Sequence, residues 1–215
     1  MNRGQIGRWQ RSKLRIRQRR PQRRRILIVC EGKETERNYF DQAKRVGFAR
    51  DNLAVTVKRG KGGSREQIAQ FAAACKNGTN AKFDDAWCVM DAEQPTEKNP
   101  CEGAVRILIE NGIKPCLSNP AFEVWLLSHF QKTTKAYLDC DAVQRDLNPH
   151  WKSHFDRDYD KAEQNIFGLV SSLTATAVGN AQWAREEYHS SRPILDCNPA
   201  TDIYKLVKHL LGQVN

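Results

Sequence analysis

A chain of 215 residues, 40% hydrophobic and 28% charged, is long enough for one sizeable core, and its body needs no disorder class. It has no run of about 18 apolar residues to span a bilayer and no apolar N-terminal stretch of the secretory kind, so a soluble, cytoplasmic protein is expected. The net charge of +10 is local: residues 1–25 carry ten arginines and Lys13 without an acid, whereas the other 190 residues hold 24 basic and 25 acidic side chains.

The first element in chain order is therefore a basic arm, residues 1–25. Like charge this dense is expected to be disordered when free and suited to phosphate contact, with Arg19, Arg20, Arg23, Arg24 and Arg25 as its densest part. A solubilising tail or an organelle transit peptide would have a similar composition. Seven cysteines follow along the body, odd in number and without a C-x-x-C pair. Several sit in apolar runs, as small hydrophobes in a reducing compartment do.

From residue 26 short apolar runs alternate with helical periods. Strands are expected at 26–30, 53–57, 86–90 and 113–117, and helices at 34–46, 64–75, 101–110 and 120–130. This βαβαβαβα order predicts an α/β fold, a parallel sheet of about four strands with helices on both faces. Beyond about residue 131 the strand signal fades, and helices near 139–147, 159–174, 178–188 and 201–211 predict a helical C-terminal part packed on the sheet. The organisation read is an arm (1–25), an α/β domain (26–130) and a helical extension (131–215).

Two of these strands end in acids. ILIVCEGKETE (26–36) places Glu31 directly after the first, and DDAWCVMDAEQ (84–94) places Asp91 and Glu93 at the end of the third. In a parallel sheet both ends share the carboxyl edge, where open α/β sheets bind ligands. Asp91 and Glu93, two apart, project to the same side in extended geometry. Hard carboxylate oxygens in this arrangement suit Mg²⁺ or Mn²⁺, with Glu31, Asp91 and Glu93 as candidate ligands. Gly32 lets backbone or phosphate approach closely. Solvated loop acids or helix caps would give the same letters.

SNPAFEVWLLSHF (118–130) adds Glu123. Here Asn119 reads as an N-cap, Pro120 as the first helical residue and Glu123 as an acid in the first turn of an apolar helix. Lys58, Arg59 and Lys61 flank the glycines of VKRGKGGSRE, a loop that leads into a helix N-terminus. This loop lacks the Walker spacing, so nucleotide binding is not read from it. Lys33 opens the first helix. The run His150, His154, Asp156, Asp158, Asp160 fails as an EF-hand, because Lys161 and Phe167 stand where glycine and glutamate belong, and the two histidines lack a third zinc ligand.

The IVCEGKETE and WCVMDAEQ motifs resemble the acid–glycine and D-x-D signatures of Toprim domains. Together with SNPAFEVWLLSHF, FDRDYDKAEQNI and NPATDIYKLVKHL they make residues 24–213 similar to the RloB-like family. The resemblance implies a Toprim-like, metal-dependent nuclease of anti-phage defence, an abortive-infection effector acting on DNA or RNA. It also implies a separate ATPase of the RloA or ABC/SMC-like kind, with self-association left open. By carry-over Glu31 is the Toprim glutamate and Asp91 with Glu93 the D-x-D pair, the second aspartate being replaced by the longer glutamate. Glu123 matches the family's acid, so the catalytic set is Glu31, Asp91, Glu93 and Glu123. Two other classes remain open: a catalytically idle nucleic-acid-binding or regulatory subunit, and nucleotidyl transfer as in primases.

Overall fold

The computed structural model describes residues 23–46, 53–78, 82–92, 98–190 and 192–213, with the backbone alone at 98–100. Residues 1–22, including Arg19 and Arg20, and residue Glu93 lie outside the described residues.

Five strands form one sheet in the order β2-β1-β3-β4-β5. They are β1 (Arg24–Cys30), β2 (Leu53–Arg59), β3 (Asp85–Asp91), β4 (Lys114–Asn119) and β5 (Ala200–Thr201). The first four are mutually parallel, and β5 runs antiparallel to β4. Helices α1 (Thr35–Val46), α2 (Arg65–Asn77) and α3 (Lys98–Glu110) connect the parallel strands. Downstream come α4 (Glu123–Ser128), α5 (Cys140–Phe155), α6 (Ile166–Val170), α7 (Thr174–Gln182) and α8 (Ile203–Leu211).

β1 is central and apolar on both faces, as a parallel strand covered by helices must be. Ile26 through Cys30 are wholly buried, each large aliphatic one contributing roughly 2 kcal/mol of hydrophobic burial. Their alternation divides the core in two. Leu27 and Val29 pack with Cys88 and Met90 beneath α2 and α3. Ile26, Ile28 and Cys30 face the other way, toward α1 and the C-terminal helices α4 to α8. That second core contains Trp125 and Trp151, so the C-terminal half is built onto the sheet.

Several expectations are corrected. The sheet has a fifth strand, because the two residues Ala200 and Thr201 pair with Asn119 and Ser118. β1 starts two residues early, since Arg24 pairs with Asp85 at 2.7 Å and the Arg25 N–H donates to Asp84 Oδ2 at 2.7 Å. Asn119 does not cap a helix. It ends β4, its peptide bond to Pro120 is cis, and its side chain donates to the carbonyls of Ile194 and Leu195. Helix α4 consequently begins at Glu123.

α5 continues through Pro149 to Phe155, because Val143, Leu147 and Trp151 bury one helical face that offsets the missing N–H. Residues 159–165 are not helical; α6 starts only at Ile166. At the far end α7 passes into a π-helical turn, Trp183–Tyr188. Among the described residues no helix is long and apolar enough to cross a membrane.

Candidate functional site

The strand order reverses between β1 and β3, making their carboxyl ends the topological switch point at which such sheets bind ligands. Glu31 and Asp91 both lie there. The Glu31 N–H extends the β1–β3 ladder to Val89 O at 3.0 Å, and Glu31 Oε2 accepts the Asp91 N–H at 3.1 Å. The Glu31 carboxylate is thus drawn across to the end of β3. A buried arginine, Arg65, braces the same strand end by donating Nε–H to Asp91 O at 3.0 Å. It follows Ser64, which caps α2 in a reciprocal capping box with Gln67.

A cleft of about 360 Å³ opens beside this edge. One wall is the β1–α1 turn, Gly32 to Glu36; the other walls are Asp91, Phe122, Glu123, Cys140 and Lys161. Glu36 is 5% exposed and folds back over the turn to accept the Gly32 N–H at 3.2 Å. A Cβ on Gly32 would run into that carboxylate, so any larger residue here must displace the Glu36 head from the turn. Burial pushes the Glu36 carboxyl up to about 7, with the charges of Glu123 and Glu31 adding to the effect.

Glu123 is 3% exposed. Its Oε1 accepts from the Tyr159 hydroxyl at 3.1 Å and its Oε2 from Cys140 Sγ at 3.1 Å, while Lys161 Nζ stands 3.9 Å away. Burial, then Glu123, pushes the Cys140 thiol up to about 12 and also raises the Tyr159 hydroxyl. Both groups stay protonated at neutral pH and therefore act as donors to Glu123. Burial works against the charge of Lys161, but Glu123, Cys140 and Asp141 together outweigh it and hold the ammonium above its ordinary value.

Of the acids expected from the sequence, Glu31, Asp91 and Glu123 come to this one edge, and Glu93 lies outside the described residues. Among the described residues no three His, Cys, Asp or Glu side chains converge as a ready cation site. The donor chemistry nonetheless fits Mg²⁺ or Mn²⁺. Magnesium needs only one or two carboxylates, which Glu31 and Asp91 offer at adjoining strand ends, and a cation there would relieve the repulsion that the other acids exert on Glu36.

The basic residues divide. Lys33 lines the cleft. Lys58 and Arg59 are exposed at the end of edge strand β2, and Lys61 lies over the Phe71 ring at 5.5 Å. Arg23, Arg24 and Arg25 sit at the opposite, amino end of β1. There Arg24 shares Asp85 with Lys114 and His209, and Arg25 lies over Phe83.

Sequence reasoning missed Glu36, Arg65, Cys140, Tyr159 and Lys161. Glu36 carried a signal, standing in the first turn of α1 five residues after Glu31. Tyr159 and Lys161 lie in the quoted FDRDYDKAEQNI stretch, but only folding brings them to Glu123. Searches of curated proteins and of solved structures return no match. Residues 26–210, most of the chain and including every described residue of the cleft, match the family described as RloB-like protein, and the chain belongs to that family.

Proposed function

We propose that the chain is a metal-dependent nuclease hydrolysing phosphodiester bonds in DNA or RNA, an effector of anti-phage defence that works with a separate ATPase. The observation that carries this reading is the gathering of Glu31, Asp91, Glu36 and Glu123 at the switch point of the sheet. Mg²⁺ or Mn²⁺, held there, would supply a nucleophilic water at neutral pH and neutralise charge on the phosphate. Asp91 and Glu31 would hold the ion, and Glu93 is the further ligand expected from the D-x-E motif. Glu31 has the alternative role of general base. Glu123, fixed by Tyr159 and Cys140, supports the far wall. Lys33 and the basic residues preceding β1 would supply sequence-blind contacts to phosphates.

The test is cleavage of labelled DNA, RNA and tRNA with Mg²⁺ or Mn²⁺. Glu31→Ala and Asp91→Ala are expected to lose at least about 100-fold in rate, the scale on which positioned acid and base groups act. Equal rates in wild type and both variants would end the mechanism.

A second reading, a catalytically idle nucleic-acid-binding subunit, draws on the hydrogen bond that already engages Glu31 Oε2. Calorimetric titration with Mn²⁺ separates the two: uptake lost in Asp91→Ala supports the nuclease, and no uptake by wild type supports the idle subunit.

A further inference from the structure

Between α5 and α6, residues 156–165 form a strap that brings Lys161 to the wall of the cleft. It begins at Asp156, where a φ of 53° ends α5, and it is pinned at both sides. The Tyr159 N–H donates to Asn148 Oδ1 at 2.7 Å on α5. On the α1 side, Thr35 Oγ1 donates to Lys161 O at 3.2 Å, and Asn38 Nδ2 donates to Ala162 O at 3.3 Å and Glu163 O at 3.4 Å. The strap backbone is therefore anchored to the helix that carries Glu36.

This anchoring sets Lys161 against the cleft, with Nζ 3.3 Å from Cys140 Sγ and 3.9 Å from Glu123 Oε1. Glu123 does not need Lys161 as a hydrogen-bond donor. Tyr159 and Cys140 already supply one donor to each of its oxygens, and 3.9 Å is beyond hydrogen-bonding reach. The Lys161 side chain remains 47% exposed, so its head can turn to a ligand. The cleft is lined by Glu34, Glu36, Asp91 and Glu123, against only Lys33 and Lys161. An anion entering among four acids needs a fixed cation, and Lys161 is carried on a strap pinned to α1 through its own carbonyl and to α5 through Tyr159.

We infer that Lys161 is a binding residue for the substrate's phosphate, contacting a non-bridging oxygen of the phosphodiester presented to the Glu31–Asp91 edge. This rests on the nuclease reading and adds to it a contact from the C-terminal half. It gives the strap a purpose, since Tyr159 orients Glu123 while Lys161 receives the polyanion.

The experiment uses the full chain and two unrelated short oligonucleotides, with binding measured in chelator across a salt series and cleavage measured with Mn²⁺. Lys161→Met is expected to weaken both oligonucleotides by the same factor and to lower the slope of log affinity against log salt by roughly one, the signature of one lost phosphate contact. Lys161→Arg should restore most of the affinity. Thermal unfolding of both variants is recorded, so that a loss of fold is recognised as such.

If wild type binds but never cleaves, the nuclease reading fails, while an altered slope still upholds Lys161. If wild type cleaves and Lys161→Met keeps both slope and rate, Lys161 is only a partner of Glu123 and the inference is overturned. Failure of wild type to bind either oligonucleotide overturns it as well.

Discussion

His129 offers a quantitative test of the core beneath the site. It follows α4, and its Nδ1 lies 3.0 Å from Trp125 O and 3.2 Å from Leu126 O. Carbonyls only accept, so Nδ1 carries the hydrogen and Nε2 is bare, buried and without a hydrogen-bond partner among the described residues. Around it stand the rings of Trp125, Tyr39 and Phe130.

The end of a helix favours a cation by about 0.3–1 kcal/mol. Burial dominates, and the imidazole is pushed down from 6.5 to about 4. Because the unfolded chain takes up this proton first, stability is lost as pH falls from 6.5 toward 4. Linkage gives a loss of about 2 kcal/mol between pH 7 and pH 5, and about 3 kcal/mol by pH 4. Urea unfolding followed by tryptophan fluorescence, on wild type and His129→Gln, measures it. The variant keeps a donor but does not titrate, so the stability difference between the two proteins should shift by these amounts across the pH series. A difference that stays constant from pH 7 to pH 4 would refute the assignment of a buried, neutral imidazole.

Glu36 titrates with the opposite sign. Its raised folded pKa means that its stabilising contribution is present below 4.5 and lost as pH rises through about 7, so in chelator Glu36→Gln should be the more stable protein at pH 8 and show no gain at pH 4 in the same urea assay. Gly32→Ala, which displaces the Glu36 carboxylate without removing a charge, is expected to lower cleavage by about 100-fold, the usual penalty for an ångström of misplacement, with little change in oligonucleotide affinity. Arg185 and Asp202, 10% and 12% exposed and 3.2 Å apart, form a mostly buried pair. Lys205 stays 2.8 Å from Asp202, so Arg185→Met should cost about 2 kcal/mol of unfolding free energy, the loss of one charged hydrogen bond rather than of all compensation.

How much of this could be read from the letters follows from which forces are local. β1 and β3 announced themselves because a strand covered on both faces must be apolar throughout, and the acids at their ends followed from parallel pairing. β5 could not be read, since two residues, Ala200 and Thr201, carry no period and pair only because β4 presents an edge. Arg24 was assigned to the arm because charge density masked its place in the strand, which depends on Asp85, 61 residues away in sequence. Asn119 read as a cap from the Asn-Pro pair, but Ile194 and Leu195 claim its side chain. Glu123 was legible as an acid near the edge. Its donors were not, because Tyr159 reaches it across 36 residues and the strap that carries Lys161 is fixed by contacts with α1.

The strap also orders events during synthesis. Thr35 and Lys161 are 126 residues apart, so a chain growing from its N-terminus makes α1 and the strand-end acids long before the strap that docks on α1. At roughly 5–20 residues per second the interval is about 6 to 25 seconds. Until it ends, Glu123 lacks Tyr159 and the cleft lacks Lys161. On the reading proposed here, an unfinished chain therefore has the strand-end acids without the cation that receives the phosphate and without the hydroxyl that orients Glu123.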